Sequence, residues 1–272
     1  VVSGGPGEGT PPDVPGERRS AMAGLPVGAT FGSLVHAVLE TADLQADDLG
    51  AELRARIVEH QLRWPVALDV DGLATALELV CATPLGDLAG DVRLRDIART
   101  DRHTEMDFEL PLGGGDGPGV GSLLGDIATL LRTHLPHDDP LVPYAAALDE
   151  PELGEQVLRG YLTGSIDLTF RHDGRYFVVD HKTNWLGSPE RELTVDDYAP
   201  DKLADAMTHT SYPLQALLYS VVLHRYLRWR LPEYDPRRHF GGVLYLYLRG
   251  LAGPDTPRAG GAPYGVFAWR PP

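Results

Sequence analysis

The chain has a single cysteine, Cys81, among its 272 residues. One cysteine cannot close a disulfide within one copy of the chain, and it cannot supply the four thiolates that hold an iron–sulfur cluster. Cys81 ends an apolar stretch, residues 73–81, that is expected to be helical. The sequence therefore predicts a core-packing role for this thiol and no iron–sulfur centre.

Phosphate-binding glycine motifs and long apolar runs are also missing. The chain contains no Gly-x-x-x-x-Gly-Lys-Ser/Thr motif, and its glycine-rich stretch 113–121 does not satisfy Gly-x-Gly-x-x-Gly. We therefore expect that stretch to be a loop and no nucleotide to bind through a P-loop. No run of 18 apolar residues and no signal-peptide pattern occurs, which predicts a cytoplasmic protein without a membrane segment.

Positive charge is scarce. The chain has 24 Lys and Arg residues against 39 Asp and Glu residues, a net charge of −15. Nucleic-acid binding normally requires a basic surface, so this balance argues against tight DNA binding by the chain alone. The local basic groups that could contact phosphates are Arg225, Arg228, Arg230, Arg237, Arg238 and Arg249.

The composition is otherwise that of a globular protein, with 43% hydrophobic and 23% charged residues. The first part of the chain is rich in Gly and Pro and lacks apolar periodicity, so we expect residues 1–22 to be a flexible linker and residues 23–272 to be one domain. A linker at this end fits a domain tethered to a larger polypeptide.

A β-hairpin is predicted within residues 164–184. Two alternating, β-rich runs flank Asp173-Gly174, a pair typical of a two-residue turn. That turn would place Asp167 opposite Asp180 on the neighbouring strand, with Lys182 on the same face as Asp180. Two facing carboxylates repel unless a cation lies between them. The opposite face of the hairpin is expected to be apolar and buried, and it would carry Ile166, Leu168, Phe170, Phe177 and Val179.

Each candidate site residue has a structural alternative. Asp180 and Lys182 could form a surface ion pair, although the facing Asp167 makes this less plausible. His36, among apolar residues of a predicted helix, could be a satisfied core histidine. Gln215 and Tyr219, one turn apart on a long helix, could be the polar edge of an amphipathic helix.

Hydrophobic periodicity predicts an α/β protein with a mixed central sheet flanked by helices and an α-rich N-terminal segment that carries His36. The expected helices are 31–42, 48–63, 70–83, 122–134 and 209–230. The expected strands are 104–112, 156–171, 175–184, 240–249 and 264–270.

Four motifs occur along the chain in a fixed order: Gly-x-x-x-His ending at His36, Gly-x-x-Asp ending at Asp167, Asp-x-Lys at Asp180 and Lys182, and Gln-x-x-x-Tyr at Gln215 and Tyr219. Together with the segments 102–111, 178–187 and 240–250, this set resembles the C-terminal nuclease domain of RecB, a member of the PD-(D/E)XK nuclease superfamily. The resemblance covers roughly residues 22–270.

The resemblance implies a PD-(D/E)XK, restriction-endonuclease-like core and a role for each matching residue. His36, Asp167, Asp180 and the backbone carbonyl of His181 match metal ligands, and Lys182 matches the catalytic lysine. Gln215 and Tyr219 match a motif that helps hold the substrate strand. Glu105 matches an acidic position to which we assign no role.

The implied activity is Mg²⁺-dependent hydrolysis of DNA phosphodiester bonds, with cutting of single strands. Mn²⁺ should also be accepted, because imidazole is a softer ligand than carboxylate. The implied setting is a RecBCD-type helicase–nuclease, exodeoxyribonuclease V, in double-strand break repair and recombination. Its partners would be DNA, a RecB helicase domain, and RecC-like and RecD-like subunits. A free-standing endonuclease of this superfamily and a non-catalytic docking module of the same fold remain as alternatives.

Overall fold

The computed structural model describes residues 18–112 and 121–272. Most of the predicted linker, residues 1–17, and residues 113–120 of the predicted glycine-rich loop lie outside this described part. Residues 18–22, which the sequence assigns to the linker, are packed onto the domain. Arg19 forms an isolated β-bridge with Thr194, and Met22 is 1% exposed. The packed domain therefore includes these five residues, because Met22 contributes an apolar side chain to its core.

The α-helices of the described residues are α1 (Ala29–Thr41), α2 (Leu49–Gln61), α3 (Val70–Ala82), α4 (Leu124–His134), α5 (Pro151–Gly154), α6 (Pro200–Thr208), α7 (Tyr212–Arg230) and α8 (Pro236–His239). The five predicted helices, α1 to α4 and α7, begin and end close to the predicted limits, whereas the short helices α5, α6 and α8 were not predicted. The helix expected from residue 209 starts at Tyr212, with Pro213 in its first turn, where a missing N–H does no harm. Helix α6, which the sequence analysis missed, also opens on a proline and is only nine residues long.

Nine strands lie in the described residues. They are β1 (Arg102–Pro111), β2 (Ser122–Leu123), β3 (Val157–Leu158), β4 (Tyr161–His172), β5 (Arg175–Lys182), β6 (Phe240–Tyr247), β7 (Arg258–Ala259), β8 (Ala262–Pro263) and β9 (Val266–Trp269). The strand expected over 156–171 is divided into β3 and β4. The break falls at Gly160, whose φ of 78° lies outside the β region.

The main sheet has five strands in the order β1-β4-β5-β6-β9. Its neighbours are antiparallel except for β5 and β6, which are parallel. The chain crosses from β5 to β6 through α6 and α7, as a parallel pair requires a long connection. The predicted mixed sheet flanked by helices is thus confirmed.

The two faces of the sheet bury separate apolar cores. Helices α1, α2 and α3 cover one face and pack with Leu168, Phe177 and Val179. Helices α6 and α7 cover the other face and pack with Val178 and Tyr245. Cys81 is fully buried in the first core, which confirms its expected packing role. The α-rich N-terminal segment is therefore a layer of the fold.

Arg249, proposed from the sequence as a surface contact for phosphate, is instead 1% exposed. Its guanidinium donates to the carbonyl oxygens of Thr183 (2.9 Å), Met22 (2.7 Å) and Pro26. The expectation of a DNA contact at Arg249 was wrong. This buried side chain instead links the N-terminal segment to Thr183, the residue that follows the end of β5. Among the described residues, no helix is both long and apolar enough to cross a membrane.

Candidate active site

The β4–β5 hairpin has the predicted register. Leu168 pairs with Val179, and the turn residues Asp173 and Gly174 both have positive φ, 48° and 74°. The paired part of this ladder ends at Leu168 and Val179, so Asp167 and Asp180 lie just beyond it rather than within it. The two carboxylates contact different neighbours.

The alternation of β4 changes at Asp167, which corrects one expectation. Ile166 packs in the core under α7, whereas Leu168 packs in the core under α1, so they do not share a face. The neighbouring strand β1 is distorted at the same level. Glu105 lies on β1 between the residues that pair with Ile166 and with Leu168 of β4. It has a φ of 49°. A left-handed non-glycine residue is unusual and is often found at functional sites.

Asp167 is held by two groups from different elements. Its Oδ2 accepts a hydrogen bond from the backbone N–H of His181 (2.7 Å), and its Oδ1 lies 3.3 Å from Nδ1 of His36 on α1. Burial opposes ionisation of Asp167, but the hydrogen bond from His36 and the charges of His181 and His36 outweigh it, so the pKa is lowered. Burial likewise opposes protonation of His36, yet Asp167 raises the pKa of this imidazole above its usual value.

Asp180 has a different environment. It is 2% exposed, next to Tyr245 across the parallel β5–β6 pair, and its Oδ2 lies 2.6 Å from Nζ of Lys182. Apart from Lys182, this buried oxygen has no hydrogen-bond donor among the described residues. Burial raises the pKa of Asp180 to about 6. The positive charge of Lys182 opposes this rise, and the negative charge of Asp167 adds to it.

Lys182 is enclosed by groups from α7 and β6. Its Nζ lies 3.3 Å from Oε1 of Gln215, 4.0 Å from the ring centroid of Tyr212 and 5.4 Å from that of Tyr245. The Tyr245 hydroxyl also lies 3.1 Å from the same Gln215 oxygen. Aromatic faces attract ammonium groups, so these contacts fix where the Lys182 charge lies.

Gln215 and Tyr219 connect α7 to the hairpin. Gln215 Nε2 donates to the Tyr219 hydroxyl (2.8 Å), which donates to the backbone oxygen of Ser165 on β4 (2.8 Å). The two side chains point into the site and contact Lys182 and β4. They are therefore not a solvated helix edge, the alternative that the sequence left open.

The His181 side chain is buried beside the site. Its ring meets that of His36 edge to face, with centroids 5.9 Å apart, and its Nε2 has no hydrogen-bond partner. Burial lowers the pKa of His181 to about 4. The ring is thus neutral at physiological pH, and the predicted contribution of this residue is its carbonyl oxygen, not its imidazole.

The donor set has the chemistry of a divalent-cation site. Two carboxylates and one imidazole are close together, and one buried carboxylate oxygen of Asp180 has no hydrogen-bond donor apart from Lys182 among the described residues. Within residues 18–112 and 121–272, no three His, Cys, Asp or Glu side chains are already arranged around a common point. Asp167 contacts His36, whereas Asp180 contacts Lys182. Hard oxygen donors of this kind suit Mg²⁺.

A cavity adjoins each end of this cluster. The His36 groove, about 660 Å³, is lined by His36, Glu40, Trp64 and Glu105 among others. Burial and the charge of Glu105 raise the pKa of Glu40. Glu105, which the sequence left without a role, thus lies in this groove. The second space, which we term the Lys182 cavity, is about 330 Å³ and is lined by Lys182, Gln215 and Tyr219 together with apolar side chains.

Two residues around Lys182 were missed by sequence reasoning. Tyr212 lies one turn before Gln215 on the same helix, and that spacing could have identified it. Tyr245 had no comparable signal, because its place beside Asp180 depends on the parallel pairing of β5 with β6.

Comparison with known proteins agrees with this geometry. Residues 17–261 match the family model of the PD-(D/E)XK nuclease superfamily. The chain is 53% identical over 268 residues, 98% of its length, to the RecBCD enzyme subunit RecB of Mycolicibacterium smegmatis. It is 52% identical to the RecB subunit of Mycobacterium tuberculosis over its whole length, and 35% identical to that of Escherichia coli over 84% of its length.

The chain spans about a quarter of the length of the mycobacterial relatives, 24% in each case, and 17% of the Escherichia coli subunit. The family match extends from before the first helix to the loop between β7 and β8, so it includes every motif residue from His36 to Tyr219. With Asp167, Asp180 and Lys182 gathered on two neighbouring central strands of a mixed sheet, the sequence match and the geometry agree that the chain belongs to the PD-(D/E)XK nuclease superfamily.

Proposed function

We propose that the chain is the nuclease domain of a RecB-type helicase–nuclease and that it hydrolyses phosphodiester bonds of single-stranded DNA with Mg²⁺. The main support is the cluster of Asp167, Asp180 and Lys182. The Lys182 ammonium lies 2.6 Å from the Asp180 carboxylate and is held there by Gln215 of helix α7. A surface ion pair would not need such an enclosure.

His36, Asp167, Asp180 and the carbonyl of His181 would hold the metal ion. A bound divalent cation neutralises charge on the phosphate and makes a water molecule more acidic. The oxygen-rich donor set favours Mg²⁺, and the imidazole of His36 makes Mn²⁺ an acceptable substitute. The buried Oδ2 of Asp180 is the group with most to gain from a cation, because Lys182 alone offsets its burial.

Lys182 would contact the phosphate or the attacking water with its ammonium group. Gln215 and Tyr212 hold this group in place, so it can stabilise negative charge on the phosphate without reorganisation. Tyr219 and Gln215 also anchor α7 to β4 through Ser165, which keeps the wall of the site fixed relative to Asp167.

The relatives support a larger assembly. The mycobacterial and Escherichia coli proteins are RecB subunits of a RecBCD enzyme, and the chain matches only part of each. We propose that a helicase domain unwinds DNA and delivers one strand to this domain, with RecC-like and RecD-like subunits, in double-strand break repair and recombination in the cytoplasm. Delivery by a motor would offset the net charge of −15, which disfavours DNA binding by the domain alone.

Cleavage assays test the proposal directly. The protein should cut linear and circular single-stranded DNA when Mg²⁺ is added and should not cut in EDTA. Asp180→Ala should abolish cutting while the circular dichroism spectrum stays unchanged. Equal cutting by the wild type and Asp180→Ala would mean that another site or a contaminant is responsible, and absence of cutting by the wild type would contradict the proposal.

A further inference from the structure

The Lys182 cavity has one polar wall and one apolar wall. Lys182, Gln215 and Tyr219 form the polar wall, and these are groups of the candidate site itself. The apolar part of the lining comes from β1, β4 and the start of α7, and its side chains are Phe108, Leu162, Tyr212, Leu214 and Leu218. At about 330 Å³ the cavity is large enough for a planar heterocycle next to the lysine.

Phe108 is held in the wall by its cross-strand partner. It pairs with Gly164 on β4, where an added Cβ would lie 2.8 Å from the tip of the Phe108 ring. The missing side chain at Gly164 therefore lets the ring lie flat over β4. The ring also meets Tyr219 edge to face, with centroids 6.0 Å apart. The Phe108 ring is thus held between Gly164 and Tyr219, and it lines the cavity.

Tyr212 is fixed in the same wall. Its ring stacks on that of Tyr245 at 5.7 Å between centroids, and its hydroxyl lies within hydrogen-bond distance of the Asn184 side-chain amide (3.2 Å). Lys182 Nζ lies over the Tyr212 ring. A ligand in the cavity would consequently meet the Lys182 ammonium, held over Tyr212, and the Phe108 ring.

We propose that the Lys182 cavity binds one unstacked base of the DNA strand, next to the phosphodiester bond that is cut. This proposal rests on the proposed nuclease function and adds the reason for a single-strand preference. The Lys182 ammonium suits a phosphate, and the aromatic wall suits the adjoining base, since stacking on aromatic side chains strengthens single-strand binding about 5- to 100-fold per base. A base inside a duplex can enter only after it is unstacked and unpaired, which costs binding energy.

Binding in EDTA tests the cavity without any cleavage. Fluorescence anisotropy with a labelled single-stranded oligonucleotide at low salt should give a dissociation constant that rises about 5- to 100-fold in Phe108→Ala. Phe108→Tyr keeps the ring and should bind as the wild type does. Trp229→Ala is the matched control, because this ring is 76% exposed at the far end of α7. Equal dissociation constants for the wild type and Phe108→Ala would overturn the proposal.

A second measurement locates the base. Oligonucleotides that carry a single abasic residue at successive positions should be cut about tenfold or more slowly at the bond adjoining that residue, and Phe108→Ala should remove this dependence. Slow cutting that is independent of the abasic position would overturn the cavity assignment while leaving the nuclease function intact. If the wild type cuts no DNA, the nuclease proposal fails, and the anisotropy series alone decides whether the cavity holds a base.

Discussion

The His36 groove and the Lys182 cavity are each lined by a side chain that contacts one of the two aspartates, but they differ in chemistry. The groove is larger and carries Glu40 and Glu105, and the carboxylate that contacts its His36, Asp167, has a lowered pKa. The cavity is smaller and largely apolar, and the carboxylate beside it, Asp180, has its pKa raised by burial to about 6. The first region is suited to charged and hydrated groups, and the second to a lysine, a phosphate and an aromatic ring.

This contrast shows how one hairpin can supply two carboxylates with different properties. Both aspartates come from neighbouring strands, and local sequence does not distinguish them. Their environments differ because Asp167 contacts His36 of α1, whereas Asp180 lies with Lys182 beside groups of α7 and β6. Environment, not residue type, therefore decides which carboxylate is readily ionised.

The largest expected effect concerns the Lys182 side. Lys182→Gln removes the positive charge held over Tyr212, and kcat for cleavage of single-stranded DNA should fall about 100- to 1,000-fold. The control is Lys202→Gln, since Lys202 is the other lysine of the chain and lies at the surface near Asp197. A comparable loss in Lys202→Gln would mean that charge in general, and not this enclosed group, governs the rate.

The next prediction sets the two aspartates against each other in thermal or urea unfolding with EDTA. At pH 7.5 the folded protein carries a buried charge at Asp180, so Asp180→Asn should raise the free energy of unfolding by up to about 3 kcal/mol. The gain should shrink as pH falls from about 6 to 4, because protonation then neutralises Asp180 in the wild type.

Asp167→Asn should have the opposite sign. The pKa of Asp167 is lowered on folding, so its ionised form stabilises the wild type above the ordinary pKa of an aspartate, and that contribution is lost as pH falls through the folded-state pKa. The variant should therefore be less stable than the wild type at pH 7.5 and similar to it in acid. Asp205→Asn, 76% exposed, should change stability by less than about 0.5 kcal/mol. The same sign for both site variants would remove the contrast between the two environments.

The smallest effect is expected on the groove side. His36→Ala should raise the Mg²⁺ concentration that gives half-maximal cleavage about 10- to 100-fold, as is common when a group that supports a metal site is lost. His60→Ala is the control, because His60 lines the same groove but pairs with Thr41 at 2.7 Å. If His36→Ala lowered kcat at every Mg²⁺ concentration without shifting the midpoint, His36 would act in the reaction step instead of holding metal.

Much of the hairpin and of the helix layout could be predicted from sequence. The Asp173-Gly174 turn set the register of β4 and β5, because a two-residue turn leaves little freedom in pairing. The face change at Asp167 could not be predicted, since period-two alternation assumes an undistorted strand and the irregular residue, Glu105, lies on a different strand. The burial of Arg249 was also missed, because its acceptors are carbonyl oxygens of distant residues.

The sequence by itself determined that Asp167, Asp180 and Lys182 would be neighbours, since turn chemistry and strand periodicity act over a few residues. It also determined the family, through four motifs in a fixed order. Only the tertiary structure decided that His36 lies against Asp167, that Tyr245 lies beside Lys182, and that burial separates the pKa values of the two aspartates. These properties depend on which distant elements pack against β4 and β5, because desolvation and ion pairing are set by packing.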